Sequence, residues 1–365
     1  MTPQPPHPTI EAALRSIARG ESLSRQAATE LMELLMTGQA TGSQFGALLM
    51  GLVLKGETVD ELVGMVTVMR DKAVPVSVDG ASVDTCGTGG DGSDSFNVST
   101  TAAFVVAGAG ATVAKHGNRA MSSQCGSADV LEALGAQIEL GAREVEQVIA
   151  QAGIGFMFAP LFHPAMQHAI GPRRELRIRT VFNILGPLTN PAGAQHQVVG
   201  VADAAAAEKM AHVLRELGST HALVVRGTDG LDELSIAAPS IVHELRDGEL
   251  HSYEVTPEQV GLERASLDTL RGGDLHTNAA ITRSVLEGEA GPRRDIVVLN
   301  AAAALLAADQ VQDLREGVEL AAATITSGSA VACLDSFIAA TVAAGVALPA
   351  DTAAAATVTS PGSNA

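Results

Sequence analysis

The chain has 365 residues, enough for one large domain or two smaller ones around a sizeable core. Apolar residues make up 46% and aromatic ones 2%, with no Trp and one Tyr (Tyr253), so the core is aliphatic and stacking platforms for single-stranded nucleic acid are scarce. A formal net charge of -18 argues against a nucleic-acid or anionic-membrane partner, but leaves room for a small anion held by a few local cations and backbone N–H groups.

The opening MTPQPPHPTIEAALRS lacks the basic start and apolar run of a secretory signal. Residues 10–73 read as helices only, with apolar side chains at helical spacing in IEAALRSIA, AATELMELLM, FGALLMGLVL and ELVGMVTVM. Thr41 with Gln44 and Thr58 with Glu61 are capping-box pairs, and Ser24 is an N-cap candidate. VPVSVDGA (74–81) reads as a linker. From residue 82 short apolar strands alternate with helices: VDTC, then 98–108; ATVAK, then 127–134; IGFMF; HQVVGVA, then 204–217; HALVVRG. This predicts an α/β fold with a mainly parallel central sheet flanked by helices. Residues 240–256 predict a hairpin turning at Asp247-Gly248, and helices return from 274 to about 345. The apolar runs near 100–114 and 300–309 are too short or too polar to span a bilayer. Cys86, Cys125 and Cys333 are far apart with no zinc spacing, and read as buried thiols of a reducing, cytoplasmic compartment.

Four stretches carry chemistry. In DTCGTGGDGSDSFNVST a strand runs into a loop with Gly87, Gly89, Gly90 and Gly92, and Asn97, Ser99 and Thr100 open a helix. Glycines let backbone N–H groups approach a ligand, and a helix N-terminus favours anions, so this reads as a phosphate cradle. It is neither a Walker A loop nor the dinucleotide fingerprint, and an ordinary glycine-rich turn is the bland alternative. In KHGNRAMSSQCGSAD, Lys115, His116 and Arg119 cluster among Asn118, Ser122, Ser123 and Ser127, a set suited to pyrophosphate or else a solvated loop; Ser127 or Asp129 could cap the following helix. Asp232 and Glu233 follow a strand where α/β sheets bind ligands, and suit Mg²⁺ or form a solvated acidic turn. In HPAMQHAIGPRRELRIRTVFNILGPLTNP, Arg173, Arg174, Arg177 and Arg179 fall on a predicted helix, from which one could grip a carboxylate.

Together these stretches resemble the anthranilate phosphoribosyltransferase family. GTGGDGSDSFNVST is similar to its pyrophosphate loop and KHGNRAMSSQCGSAD to its KHGN segment. NILGPLTNP, GLDELS, LRGGDLHTNAAITRSVL and GPRRDIVVLNAAAAL follow in the family's order, so the likeness runs from 10 to about 342.

The resemblance implies a small helical domain, 1–76, joined by helices near 164–190, and a large α/β domain, 77–163 and 191–348, with a disordered tail at 349–365. It assigns phosphoribosyl pyrophosphate (PRPP) to Gly87, Gly90, Asp91, Ser95, Asn97, Val98, Ser99 and Thr100. The same ligand falls to Lys115, His116, Gly117, Asn118, Arg119, Ala120, Met121, Ser122, Ser123 and Ser127. Ser99, Asp232 and Glu233 would hold Mg²⁺, in two ions, and Gly87, Asn118 and Arg173 would contact anthranilate. Lys115, Asn118, Asp232 and Glu233 would carry the catalysis. Two residues depart from the family pattern: Ser95 stands where Thr is usual and Arg177 where Gly is usual. The resemblance and the apolar N-terminal helices together imply a homodimer through those helices, without nucleic acid or membrane. A pyrimidine nucleoside phosphorylase of the same fold fits the GTGGD and KHGN strings poorly. A non-catalytic nucleic-acid-binding relative would be basic and lack the KHGN and Asp-Glu features.

Overall fold

The computed structural model describes residues 8–120 and 124–346, so the tail expected to be disordered, 349–365, lies outside the described residues. Four helices come first: α1 (Pro8–Ala18), α2 (Arg25–Met36), α3 (Gly42–Lys55) and α4 (Val59–Asp71). Both predicted capping boxes form. Thr41 and Thr58 accept from the Gln44 and Glu61 N–H groups, and the Gln44 and Glu61 side chains accept the cap N–H groups in return. Ser24 accepts from the Ala27 N–H at the head of α2.

Strands and helices then alternate: β1 (Val83–Gly87), α5 (Val98–Gly108), β2 (Val113–Gly117), α6 (Ser127–Ala133), α7 (Ala142–Ala152) and β3 (Ile154–Phe158). Next come α8 (Ala159–Phe162), α9 (Gln167–Leu176), α10 (Val181–Leu185), β4 (His196–Gly200), α11 (Ala204–Glu216) and β5 (His221–Gly227). The hairpin of β6 (Ser240–Arg246) and β7 (Glu249–Val255) precedes α12 (Leu275–Leu286), α13 (Pro292–Ala307), α14 (Leu314–Thr326) and α15 (Ser329–Val346). Its two turn residues, Asp247 and Gly248, have φ of 50° and 86°, the left-handed pair that a two-residue turn needs to match strand twist.

The seven strands form one sheet in the order β3-β2-β1-β4-β5-β6-β7. The first five are parallel, and β6 and β7 are antiparallel. Alternate residues along β4 and β5 feed different cores, as the two-residue strand period requires. Val198, Leu223 and Val225 pack with α5, α7, α13, α14 and α15. Val199, Ala222 and Val224 pack with α11 in a cluster that continues into α1–α4 and takes in Ala169 of α9 and Val181, Phe182 and Leu185 of α10. The protein is therefore a small helical domain seated beside a large α/β domain.

One apolar run differs from the sequence reading. Helix α15 has 18 residues and a mean hydropathy of 1.7, long and apolar enough to cross a bilayer by length and composition. Here one face of it lies in the core. Phe337 meets Phe104 edge-on at 5.5 Å, Thr341 accepts from the Gln137 N–H, and Asp335 pairs with Arg283. Its apolar residues are diluted by Ala, Gly and Ser, which blurs the core stripe in the sequence.

At the amino end of the strands, the buried His221 ring holds a carboxylate on each nitrogen: Asp309 at 2.9 Å and Glu244 at 3.1 Å. Burial lowers its pKa, but the two carboxylates outweigh this and the net direction is upward. A raised folded-state pKa means the stabilisation is complete below the unfolded value, about 6.5, and fades as pH rises through the folded value. His221→Gln is therefore expected to lose most stability at about pH 5 and least at about pH 9, read as denaturation midpoints along a pH series.

Candidate active site

Strands β1, β2 and β4 end at Gly87, Gly117 and Gly200, side by side at the carboxyl edge of the sheet. At Gly87 and Gly200 the missing side chains leave room for the loop after β5 to fold over this edge. A Cβ on Gly200 would collide with the Asp232 carbonyl oxygen, and one on Gly87 would sit 2.8 Å from the Asp232 carboxylate. Asp232 Oδ2 accepts from the Gly89 N–H at 2.6 Å, and Glu233 Oε1 accepts from the Ser99 N–H at 3.2 Å. The acidic pair thus faces both the glycine loop and the first turn of α5.

Desolvation raises both carboxyl pKa values, with Asp91 adding to it at Asp232 and Asp232 at Glu233. Lys115, buried in the middle of β2, opposes the rise at Glu233 and donates its Nζ to the Thr85 carbonyl. Its own pKa is lowered, first by burial, against the pull of Asp84 and other nearby charges. Among the described residues no three His, Cys, Asp or Glu side chains form a ready metal cage. Two adjacent carboxylates, one of them held by the Ser99 N–H, are instead the kind of donor set with which a hard divalent cation fills only part of its shell, taking water and phosphate oxygens for the rest.

The loop between β1 and α5 is braced from several sides. Asp91 accepts from the Ser93 N–H and hydroxyl, Ser95 bridges to Arg271, and the Phe96 N–H donates to the Leu270 carbonyl. The Asn97 amide donates to the Cys125 carbonyl at 3.1 Å and accepts from Asn278 at 3.1 Å, joining both anion loops to α12. Val98 and Thr100 are buried in the first turn of α5.

The second loop departs from expectation at three residues. The Arg119 guanidinium is already paired with Glu132 and Asp129 and lies 5.3 Å from the Phe158 ring centroid. Helix α6 is capped by neither Ser127 nor a direct Asp129 cap. Gly126 is the N-cap, Asp129 at the third helical position accepts its N–H and that of Ala120, and the Ser127 hydroxyl donates to the Asn118 carbonyl. The His116 ring packs against His163 at 5.0 Å. Burial is the main cause that lowers these imidazoles to about 3 and about 4, so both are neutral at physiological pH. Neither Nε2 has a hydrogen-bond partner among the described residues. His163 was not in the sequence-derived set, and nothing local marks a lone His before Pro. Met121, Ser122 and Ser123 lie outside the described residues.

Comparison with known proteins decides the lineage. Residues 79–331 match the family described as "Glycosyl transferase family, a/b domain", and residues 11–73 match its helical bundle domain. An anthranilate phosphoribosyltransferase of Symbiobacterium thermophilum is 58% identical over 88% of this chain and 94% of its own length. One from Chloroflexus aggregans is 57% identical over 90% and 98%.

The chain belongs to the anthranilate phosphoribosyltransferase family.

Solved members agree in fold. The Thermus thermophilus anthranilate phosphoribosyltransferase superposes with a TM-score of 0.85 at 45% identity, covering 90% of this chain and 98% of that one. The Saccharomyces cerevisiae enzyme, solved in complex with PRPP and Mg, superposes at 0.84 with 26% identity, covering 92% and 98%.

The arginines after His163 are arranged differently from the prediction. Helix α9 ends at Leu176, so Arg173 and Arg174 lie on it and Arg177 and Arg179 do not. Arg177 is the helix C-cap, with a φ of 52°. That left-handed conformation is where helices commonly end on Gly. Arg177 therefore does not share a helix face with Arg173. The Arg173 guanidinium lies 5.2 Å from the Phe182 ring centroid, partly buried, with its pKa lowered by that burial. The described residues give it no ion pair.

Proposed function

We infer that this protein is an Mg²⁺-dependent anthranilate phosphoribosyltransferase. It transfers the phosphoribosyl group of PRPP to anthranilate, giving N-(5-phosphoribosyl)anthranilate and pyrophosphate in tryptophan biosynthesis. The observation that carries the reading is the convergence of the glycine loop, Lys115, Asp232 and Glu233 at the carboxyl edge of the sheet. Most bound PRPP and Mg²⁺ contacts proposed above are backbone N–H groups and side-chain oxygens, which the strand ends and the first turn of α5 supply.

Asp232, Glu233 and the Ser99 hydroxyl would hold Mg²⁺, which when bound neutralises charge on pyrophosphate as it leaves. We propose two ions, as the family resemblance implies. Lys115 and the N–H groups of residues 90–92 would stabilise the same developing charge. Asn118, Gly87 and Arg173 seat anthranilate, the guanidinium of Arg173 gripping the carboxylate. An aniline nitrogen is unprotonated at neutral pH, so this site needs to orient the nucleophile more than to deprotonate it. Residues 1–76 with 164–190 would form the acceptor-side domain, and 77–163 with 191–348 the PRPP-side domain.

Mixing the purified protein with anthranilate, PRPP and Mg²⁺ should quench anthranilate fluorescence. In reverse, the product should be cleaved by pyrophosphate; cleavage of pyrimidine nucleosides by phosphate instead would favour the phosphorylase reading. We further propose a homodimer through the N-terminal helices, where Val53 and Leu54 of α3 are exposed at 39% and 81%. Light scattering at micromolar concentration should give twice the chain mass, and a monomer mass rejects this interface.

A further inference from the structure

The segment that leaves α9 reaches the glycine loop. Arg179 donates Nη2 to the Thr88 carbonyl at 3.2 Å and Nη1 to the Gly89 carbonyl. Its guanidinium occupies the space a side chain at residue 90 would need, since a Cβ on Gly90 would collide with Nη1. Gly89 and Gly90 have φ of 62° and 72°, so both features of the loop, its turn and its contact with Arg179, require glycine.

These two contacts have a directional consequence. In a trans peptide the C=O and N–H point to opposite sides. The Thr88–Gly89 peptide is held at both ends, its C=O by Arg179 and its N–H by Asp232. The next peptide has its C=O on Arg179 too, so the Gly90 N–H faces away from the guanidinium. A carbonyl bound to a cation also polarises its own N–H and makes it a stronger donor. Two successive N–H groups thereby face away from Arg179, the first of them onto Asp232.

We propose that Arg179 is the positioning residue of the pyrophosphate loop. It fixes the Thr88 and Gly89 carbonyls from behind, so that the Gly89 N–H stays on Asp232 and the Gly90 N–H is set for a pyrophosphate oxygen. It does so from the segment that follows α9, the helix bearing Arg173, and so ties the donor loop to the acceptor side. A planar fork holds two donors in fixed geometry for two successive carbonyls, whereas an ammonium on a flexible stem offers no such fixed pair. The inference rests on the PRPP-binding reading of this loop.

The test compares full-length parent, Arg179→Ala and Arg179→Lys. Initial rates are measured with each substrate varied, and Mg²⁺ with pyrophosphate is titrated calorimetrically without anthranilate. Losing two charge-assisted contacts, discounted for their exposure, should raise KM for PRPP about ten- to thirtyfold in Arg179→Ala and weaken pyrophosphate binding by a similar factor. KM for anthranilate should move less than about threefold, and the ligand-free melting temperature by no more than about 2 °C. Arg179→Lys should recover part of the PRPP loss. Unchanged KM for PRPP together with unchanged pyrophosphate affinity overturns the proposal. So does an equal or larger rise in KM for anthranilate, or a melting point so lowered that the loss is one of folding. If the parent itself fails to consume PRPP with anthranilate, the functional reading has failed and the inference falls with it; if the parent is active and Arg179→Ala matches it, only the inference has failed.

Discussion

Replacing Asp232 by Asn and Glu233 by Gln together should abolish Mg²⁺-dependent turnover while leaving the ligand-free protein at least as stable as the parent. The two halves of this expectation have separate causes. Both carboxyls are desolvated and sit among like charges, which drives their pKa values upward. A carboxyl whose folded-state pKa is raised favours the folded state most when protonated. The parent therefore loses stability as pH rises from the unfolded carboxyl range toward the raised folded values. Neutral amides escape that loss, so the variant's relative stability should grow with pH. The amides can still accept from the Gly89 and Ser99 N–H groups through their oxygens, which keeps the loop in place. What they cannot do is hold a hard cation against pyrophosphate. Metal stabilisation of a transition state amounts to several kcal/mol, and about 4 kcal/mol corresponds to roughly a thousandfold in rate. Two measurements decide it: turnover across a Mg²⁺ series, and the Mg²⁺-induced shift in melting temperature, present in the parent and absent in the variant. Near-normal activity in Mg²⁺ would remove this loop from the metal site.

What the sequence disclosed depended on how local the governing physics was. Capping at Thr41 and Thr58 and the Asp247-Gly248 turn are decided within four residues, and each formed as read. Alternation of strands and helices disclosed the sheet, because a parallel strand and its crossover helix have different apolar periods. Contacts set by distant chain were not readable. Arg179 meets the glycine loop some 90 positions away in sequence, and Arg119, read as part of an anion cluster, is engaged by Glu132. The His116–His163 pair joins β2 to the turn before α9, and no spacing rule connects them. The end of α9 was misplaced because Arg177 is a poor marker for a left-handed cap that Gly would have announced. The four arginines consequently looked like one helical face, when the structure places Arg173 on α9 beside Phe182, Arg177 at the C-cap and Arg179 on the glycine loop.

That separation sharpens the expectation for Arg173. Anthranilate presents a carboxylate beside its amine, and a planar guanidinium can hold it with two parallel hydrogen bonds. Arg173 is partly desolvated, steadied on the Phe182 ring, and without an ion pair among the described residues. Burial already disfavours its charge, so an incoming carboxylate recovers an interaction that water does not fully supply. Losing a charge-assisted contact of this kind costs about 1.5–3 kcal/mol, roughly tenfold to more than a hundredfold in apparent affinity. Arg173→Ala should raise KM for anthranilate by that order and leave KM for PRPP within a few-fold. Arg173→Lys should keep the charge, lose the fork, and fall between the two. Arg177→Ala should do much less, because its backbone turns out of α9 at the C-cap, off the helical face that carries Arg173. Arg177→Gly should instead raise the melting temperature slightly, by relieving a left-handed φ worth up to about 1 kcal/mol. If Arg177→Ala proved the more damaging of the two for anthranilate, the acceptor would be held from the C-cap side, and a panel of aromatic amines with and without the ortho carboxylate would then show which group the site reads.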